Sequence, residues 1–176
     1  MAVAALCGAV LSTLSPGEGE LRATIRLTAL TSVVFFCAAF TASALARLRP
    51  SPLTRWLLTN RRYLGLSFAV SHLAHGLAIA ALQRRTDFLA GYDVTTLAAS
   101  GLAFVVIALL AATSNDAAVR WLGATNWKRL HTIGVYYLWF IFIFTYMGPA
   151  LISPYHAALT LLLALALALR LAARRA

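Results

Sequence analysis

Five apolar stretches organise the chain, at roughly 25–46, 62–82, 94–113, 129–148 and 155–172. Each is close to the ~20 residues that a bilayer-crossing helix needs. Short polar connections separate them. Pro50 and Pro52 break the chain after the first stretch, and Pro149 and Pro154 bracket the turn between the fourth and fifth. The pattern predicts an all-α fold, a polytopic transmembrane helical bundle of about five spans. Residues 1–14 are apolar too, but about 21 Å of helix is short for a span, and they lack the basic region that opens a signal peptide. They read as an interfacial or partly inserted helix ended by Ser15-Pro16-Gly17. The expected organisation is therefore an N-terminal apolar or interfacial segment, 1–22, followed by a single transmembrane helical domain, 23–176. In the longest connection, 114–128, Asn115 or Asp116 is placed to cap a short helix. That helix would lay Val119, Trp121, Leu122 and Trp127 in the membrane interface.

Composition supports the membrane reading. The 176 residues are 61% hydrophobic and only 11% charged, where an ordinary soluble domain is about a quarter charged. A formal charge of +10 would suit a nucleic-acid binder, but the basic residues cluster beside the apolar runs, where membrane topology places them. Nucleic acid is therefore not an expected partner; the lipid bilayer is. The connection from Arg47 to Arg62 holds five arginines, the next on the same side holds Arg120, Lys128 and Arg129, and the C-terminal end holds three more. With five spans these eleven face one side, and Arg22, Arg26, Arg84 and Arg85 face the other. The positive-inside rule then predicts an external N-terminus and a cytoplasmic C-terminus. Cys7 and Cys37 lie in apolar surroundings without CxxC spacing and read as small buried hydrophobes.

The candidate chemistry is carried by histidines. His72 and His75 fall midway along the second stretch, within about 60° of each other on one helical face. His131 opens the fourth stretch in the run WKRLH. An imidazole inside a bilayer needs a partner, a proton path or a metal. A membrane haem needs facing imidazoles from different helices, small residues against the porphyrin and basic residues near its propionates. Gly65, Ser67, Ser71, Gly76 and Gly134 are candidates for close approach, and Arg61, Arg62, Lys128 and Arg129 for the rim. The run Tyr136, Tyr137, Trp139, Phe140, Phe142, Phe144 and Tyr146 is a candidate lining for a flat apolar ligand. Against this, a membrane histidine is often a packing residue bonded to a neighbouring carbonyl or hydroxyl, and aromatic runs often face lipid. His156, after Pro154-Tyr155, reads as interfacial. No HExxH, phosphate-binding loop or dinucleotide turn is present, and no carboxylate lies within a span after Glu20, which argues against a carboxylate-based ion transporter.

Two segments carry a resemblance. NRRYLGLSFAVSHLAH at 60–75 and TSNDAAVRWLGATNWKRLH at 113–131 resemble the ferric-reductase-like transmembrane domain family. Within it they are most similar to the small bacterial branch that contains the haem-bearing membrane subunits of methionine-sulfoxide reductase systems. The resemblance covers roughly 25–150. It implies a multi-pass protein of the bacterial cytoplasmic (inner) membrane that carries one b-type haem as an electron-transfer (oxidoreductase) subunit. It implies His75 and His131 as haem-iron ligands; His72 matches no family position and is an alternative ligand by its own depth in the span, one turn nearer the cytoplasm, and Arg62 and Arg129 are cofactor-binding candidates by their place at the rim. Electrons would come from a quinone or a flavoprotein partner, because the chain has no flavin or nicotinamide domain of its own. The family usually has a further histidine where this chain has Phe144. Two other readings stand beside it: a haem-free accessory or assembly subunit on the same scaffold, and a quinone- or small-ligand-binding membrane protein.

Overall fold

The computed structural model describes residues 17–175; the expected helix within 1–14, and Cys7 with it, lie outside the described residues. Seven α-helices follow in order: α1 (Glu18–Leu48), α2 (Pro52–Thr59), α3 (Arg61–Gln83), α4 (Val94–Ala112), α5 (Asp116–Leu122), α6 (Ala124–Met147) and α7 (Pro154–Arg175). A 3₁₀ turn, Gly148–Leu151, joins the last two. Five helices, α1, α3, α4, α6 with its 3₁₀ extension, and α7, are long and apolar enough to cross a membrane.

Local chemistry explains the boundaries. The Gly17 N–H donates to the Glu20 carboxylate at 3.0 Å, so α1 begins seven residues before the apolar run at 25. Ser51 caps α2 by accepting from the Thr54 N–H at 3.2 Å, while the Ser51 N–H donates to the Thr54 hydroxyl at 2.9 Å. Pro52 occupies the first turn, where its missing N–H costs nothing. The prolines that mark a break between spans thus also start a helix the apolar pattern does not announce. Asn115 caps α5 through the Ala118 N–H at 2.8 Å, as expected. Gly123 then turns the chain with φ of 76°, a left-handed value that favours glycine, and α6 begins at once.

The five long helices close into a ring: α1 packs on α3 and α7, α4 joins α3 to α6, and α6 packs on α7. Phe36 is central to the interior, with ring centroids 5.3 Å from Phe40, 5.5 Å from Phe68 and 5.2 Å from Phe142. Cys37 is buried and free. Large apolar side chains such as Val105, Leu109, Phe140 and Leu165 face outward, as expected where the surrounding medium is lipid and apolar burial gives no net drive between helices. Specific contacts hold the seams instead. The Trp139 indole donates to the Leu163 carbonyl at 2.9 Å, and the Tyr137 hydroxyl to the Ala99 carbonyl at 2.9 Å. A Cβ on Gly76 would lie 2.8 Å from the Phe104 ring, and one on Gly134 would lie 2.9 Å from Leu110. Those two glycines let α4 reach its neighbours; Gly65 has open space around it.

Candidate functional site

The histidines occupy two separate places. His72 and His75 share the inner face of α3, with ring centroids 5.3 Å apart. The His75 Nδ1 lies 3.1 Å from the Ile25 carbonyl and 3.2 Å from the Thr28 hydroxyl. A carbonyl only accepts, so Nδ1 carries the proton and Nε2 keeps its lone pair. Beside this contact Ser71 bonds across the α1–α3 seam to Thr31 at 2.7 Å, Ser32 at 3.1 Å and the Thr28 carbonyl at 3.2 Å. Hydroxyl and imidazole bonds of this kind hold membrane helices together. His72 differs. It is buried against Phe104 at 4.8 Å, Phe68 at 5.6 Å and Phe142 at 5.6 Å, and its Nδ1 has no hydrogen-bond partner.

His131 stands elsewhere, stacked on Trp127 with centroids 4.2 Å apart, its Nε2 3.0 Å from the Thr113 hydroxyl. It lines a cleft of about 950 Å³ at the end of the ring where α1, α6 and α7 meet the α1–α3 and α4–α6 connections. The cleft walls include Phe36, Phe40, Phe68 and Leu138, and its charged lining includes Arg47, Arg61, Arg62, Lys128, Arg170 and Arg174 with Asp116. Arg62 is 3.2 Å from Asp116. Gly65 lines the same space.

Charge is distributed unequally between the two ends. Eleven of the fifteen basic residues and one of the five acidic ones belong to this end. The other four bases and four acids share the opposite end, so the whole formal charge of +10 resides at one end of the bundle.

The ring contacts fix the relative depth of the two histidine places. Thr113, which meets His131, is nine residues along α4 from Phe104, which meets His72. His131 is eleven residues along α6 from Phe142, which also meets His72. At 1.5 Å per residue both helices separate His72 from His131 by about 14–16 Å along the bundle, and His75 is nearly a turn deeper still. Two imidazoles on one iron must bring their nitrogens within roughly 4 Å, twice a metal–nitrogen bond of about 2 Å. His75 and His131, or His72 and His131, do not fit as the two axial ligands of one haem. The cleft offers His131, aromatic walls and more cationic groups than carboxylates, the kinds of residue that would hold a haem through one imidazole.

Other expected positions are resolved by the packing. Phe144 is 63% exposed, against Phe140 on the outer face of α6, so it does not face His75. Arg62 lines the cleft; Arg129 is exposed and does not. The aromatic run of α6 does not line the cleft either; α6 contributes Trp127, Lys128, His131, Thr132, Val135 and Leu138 there. Its aromatics come from α1, α3 and Trp127 instead. His156 bonds the Ser153 hydroxyl at 2.8 Å at the opposite end. Sequence reasoning overlooked Arg47, Arg170 and Arg174 as cleft residues, because helices from the two ends of the chain bring them together and no local pattern marks that. Thr113 and Trp127 lay within the quoted motif and were detectable as near neighbours of His131.

No family model matches the chain, and neither does any curated protein or solved structure. The family resemblance therefore rests on the two motifs alone.

Proposed function

We propose that this chain is an integral membrane electron-transfer protein that holds one b-type haem in the cleft at its basic end. The observation that carries the reading is the placement of His131, the one histidine among the described residues on the wall of that cleft. His131 would supply a single axial bond. Arg61, Arg62 and Lys128 would take the propionates through charge-assisted hydrogen bonds, and Phe36, Phe40 and Phe68 would exclude water from the porphyrin face. The bound group supplies one-electron chemistry at iron. The eleven-to-four division of basic residues supports a cytoplasmic basic end and an external opposite end, in a bacterial cytoplasmic membrane. In this reading the donor is a quinone or a flavoprotein partner. The cleft then lies on the side that such a flavoprotein would reach. An absorption titration of the purified protein with haem tests this. The expected result is one equivalent bound, with a Soret band that shifts on reduction, lost in His131→Ala and kept in His75→Ala. Full binding in His131→Ala would overturn it.

One observation favours a second reading, a haem-free site for an anionic, partly apolar molecule. The His131 Nε2 is already engaged by Thr113, and the cleft joins cations to aromatic walls whether or not a metal bond forms. A quinone-dependent rise in the unfolding temperature of haem-free protein, without a Soret band under haem-replete expression, would select it.

A further inference from the structure

Along the seam between α1 and α7 the main cleft continues into a small open recess of about 130 Å³, lined by Ser43, Ala44, Arg47, Arg170, Ala173 and Arg174, of which Ser43 and the three arginines also line the cleft. Three arginines from two helices therefore line one small recess. None has a carboxylate partner, since the ion pairs among the described residues are Arg22–Glu18 and Arg62–Asp116. The three groups are nonetheless held in place. Arg47 donates to the Ala173 carbonyl at 2.8 Å, Arg170 to the Phe40 carbonyl at 2.7 Å, and Arg174 to the Tyr136 hydroxyl at 2.8 Å. The Arg170 guanidinium lies 4.3 Å from the Phe40 ring centroid and 5.1 Å from that of Tyr136, and Arg174 lies 5.4 Å from Tyr136. A single bond holds each guanidinium, with ring stacking added at Arg170 and Arg174, and most of the five N–H donors of each stay free for a ligand. Three cations that line one small recess without a carboxylate favour an anion there. Arginine forks suit the oxygens of a phosphate, which accept paired N–H bonds.

We propose that Arg47, Arg170 and Arg174 form a binding site for a phosphate group at the basic end of the α1–α7 seam, with Ser43 as a further polar neighbour. The phosphate belongs either to the headgroup of an acidic phospholipid or to a free anion. A seam at the ends of membrane-crossing helices lies at headgroup depth, where basic residues gather anionic lipid. The three arginines are not among the groups proposed to hold haem, although they also line the main cleft.

The test uses the delipidated full chain in detergent, with two arms. Native mass spectrometry compares retention of phosphatidylglycerol with phosphatidylcholine of the same acyl chains. Thermal unfolding compares inorganic phosphate with chloride at equal ionic strength. The expected result is preference for phosphatidylglycerol of about tenfold, the size of one charge-assisted bond, or a phosphate-specific rise in the unfolding midpoint. The lipid arm alone identifies a headgroup, and the phosphate arm a soluble anion. Arg174→Gln, at the exposed helix end, should lower binding about tenfold, and Arg47→Gln with Arg174→Gln should abolish it. Arg120→Gln on α5 should leave it intact, which separates the site from general positive charge. Binding in the double variant equal to that of the unmodified protein would overturn the proposal. So would an absence of preference in both arms.

Discussion

The His131 Nε2 lies 3.0 Å from the Thr113 hydroxyl, whose own proton points to the Leu109 carbonyl at 2.7 Å. The hydroxyl therefore accepts from Nε2–H, and His131 keeps its lone pair on Nδ1. Trp127 reinforces this arrangement: its ring stacks on the imidazole, and its indole N–H donates to the Thr113 carbonyl at 2.8 Å. Thr113→Val removes the acceptor while conserving shape. Haem affinity should change several-fold, whereas Thr113→Ser should restore it; an absorption titration reads both. Equal affinity in all three proteins would show that Thr113 does not position the ring.

The two deep histidines should respond oppositely to the same substitution. His72 is packed against three phenylalanine rings with Nδ1 unpartnered, and an unsatisfied buried polar atom costs about 1–3 kcal/mol. His72→Phe should therefore stabilise the protein, raising the unfolding midpoint by a few degrees. His75→Phe removes the bonds to Ile25 and Thr28 and should destabilise it by about 1–2 kcal/mol. Thermal unfolding in detergent compares them. A loss of stability in His72→Phe would mean that His72 holds a partner in the folded protein.

Gly76 sets how closely α3 and α4 approach. A Cβ there would meet the Phe104 ring at 2.8 Å, and that ring already packs on His72 at 4.8 Å. Gly76→Val should cost about 1–3 kcal/mol through overpacking, and Phe104→Leu in the same chain should recover part of it. Gly134→Val should cost less, because the opposing atoms are the flexible end of Leu110. A smaller loss at Gly76 than at Gly134 would contradict this packing.

The start of α4 should depend on pH. The Asp93 carboxylate accepts from the hydroxyls of Thr95 and Thr96 and from the Thr96 N–H at 2.9 Å. These bonds, with Thr95 contributing most, hold its carboxyl well below the ordinary value of 3.8. A depressed native value means that the cap contributes fully above the ordinary carboxylate range and is lost as pH falls below it. Amide exchange at Thr96, corrected for its intrinsic pH dependence, should lose protection only in acid. Asp93→Asn, which keeps the acceptor oxygen, should show a flat profile there.

The five long helices were legible because each follows from its own apolar length, and their bounds moved by only a few residues except at α1. Its extra turns came from the Gly17–Glu20 cap, a polar contact that an apolar window does not register. Helix α2 was missed because Pro50 and Pro52 were weighed as breakers, although Pro52 in a first turn is a starter. The histidines stand out in the sequence because they interrupt apolar stretches. Their grouping was not legible, because helical periodicity gives the face and approximate depth of a residue on its own helix but not the axial offset between helices.

The sequence by itself determined the helical class, the five long apolar helices and the confinement of the net charge to one end. Each depends on local composition and on alternation along the chain. Only the tertiary structure decided that His72 is buried against three phenylalanine rings while His75 bonds across the α1–α3 seam, that His131 stands about 14–16 Å away in a basic cleft, and that Phe144 faces outward. The same holds for the meeting of Arg47 with Arg170 and Arg174. These relations depend on how far each helix slides and rotates against its neighbours. Contacts such as Gly76 against Phe104 set that, between residues that no local pattern links.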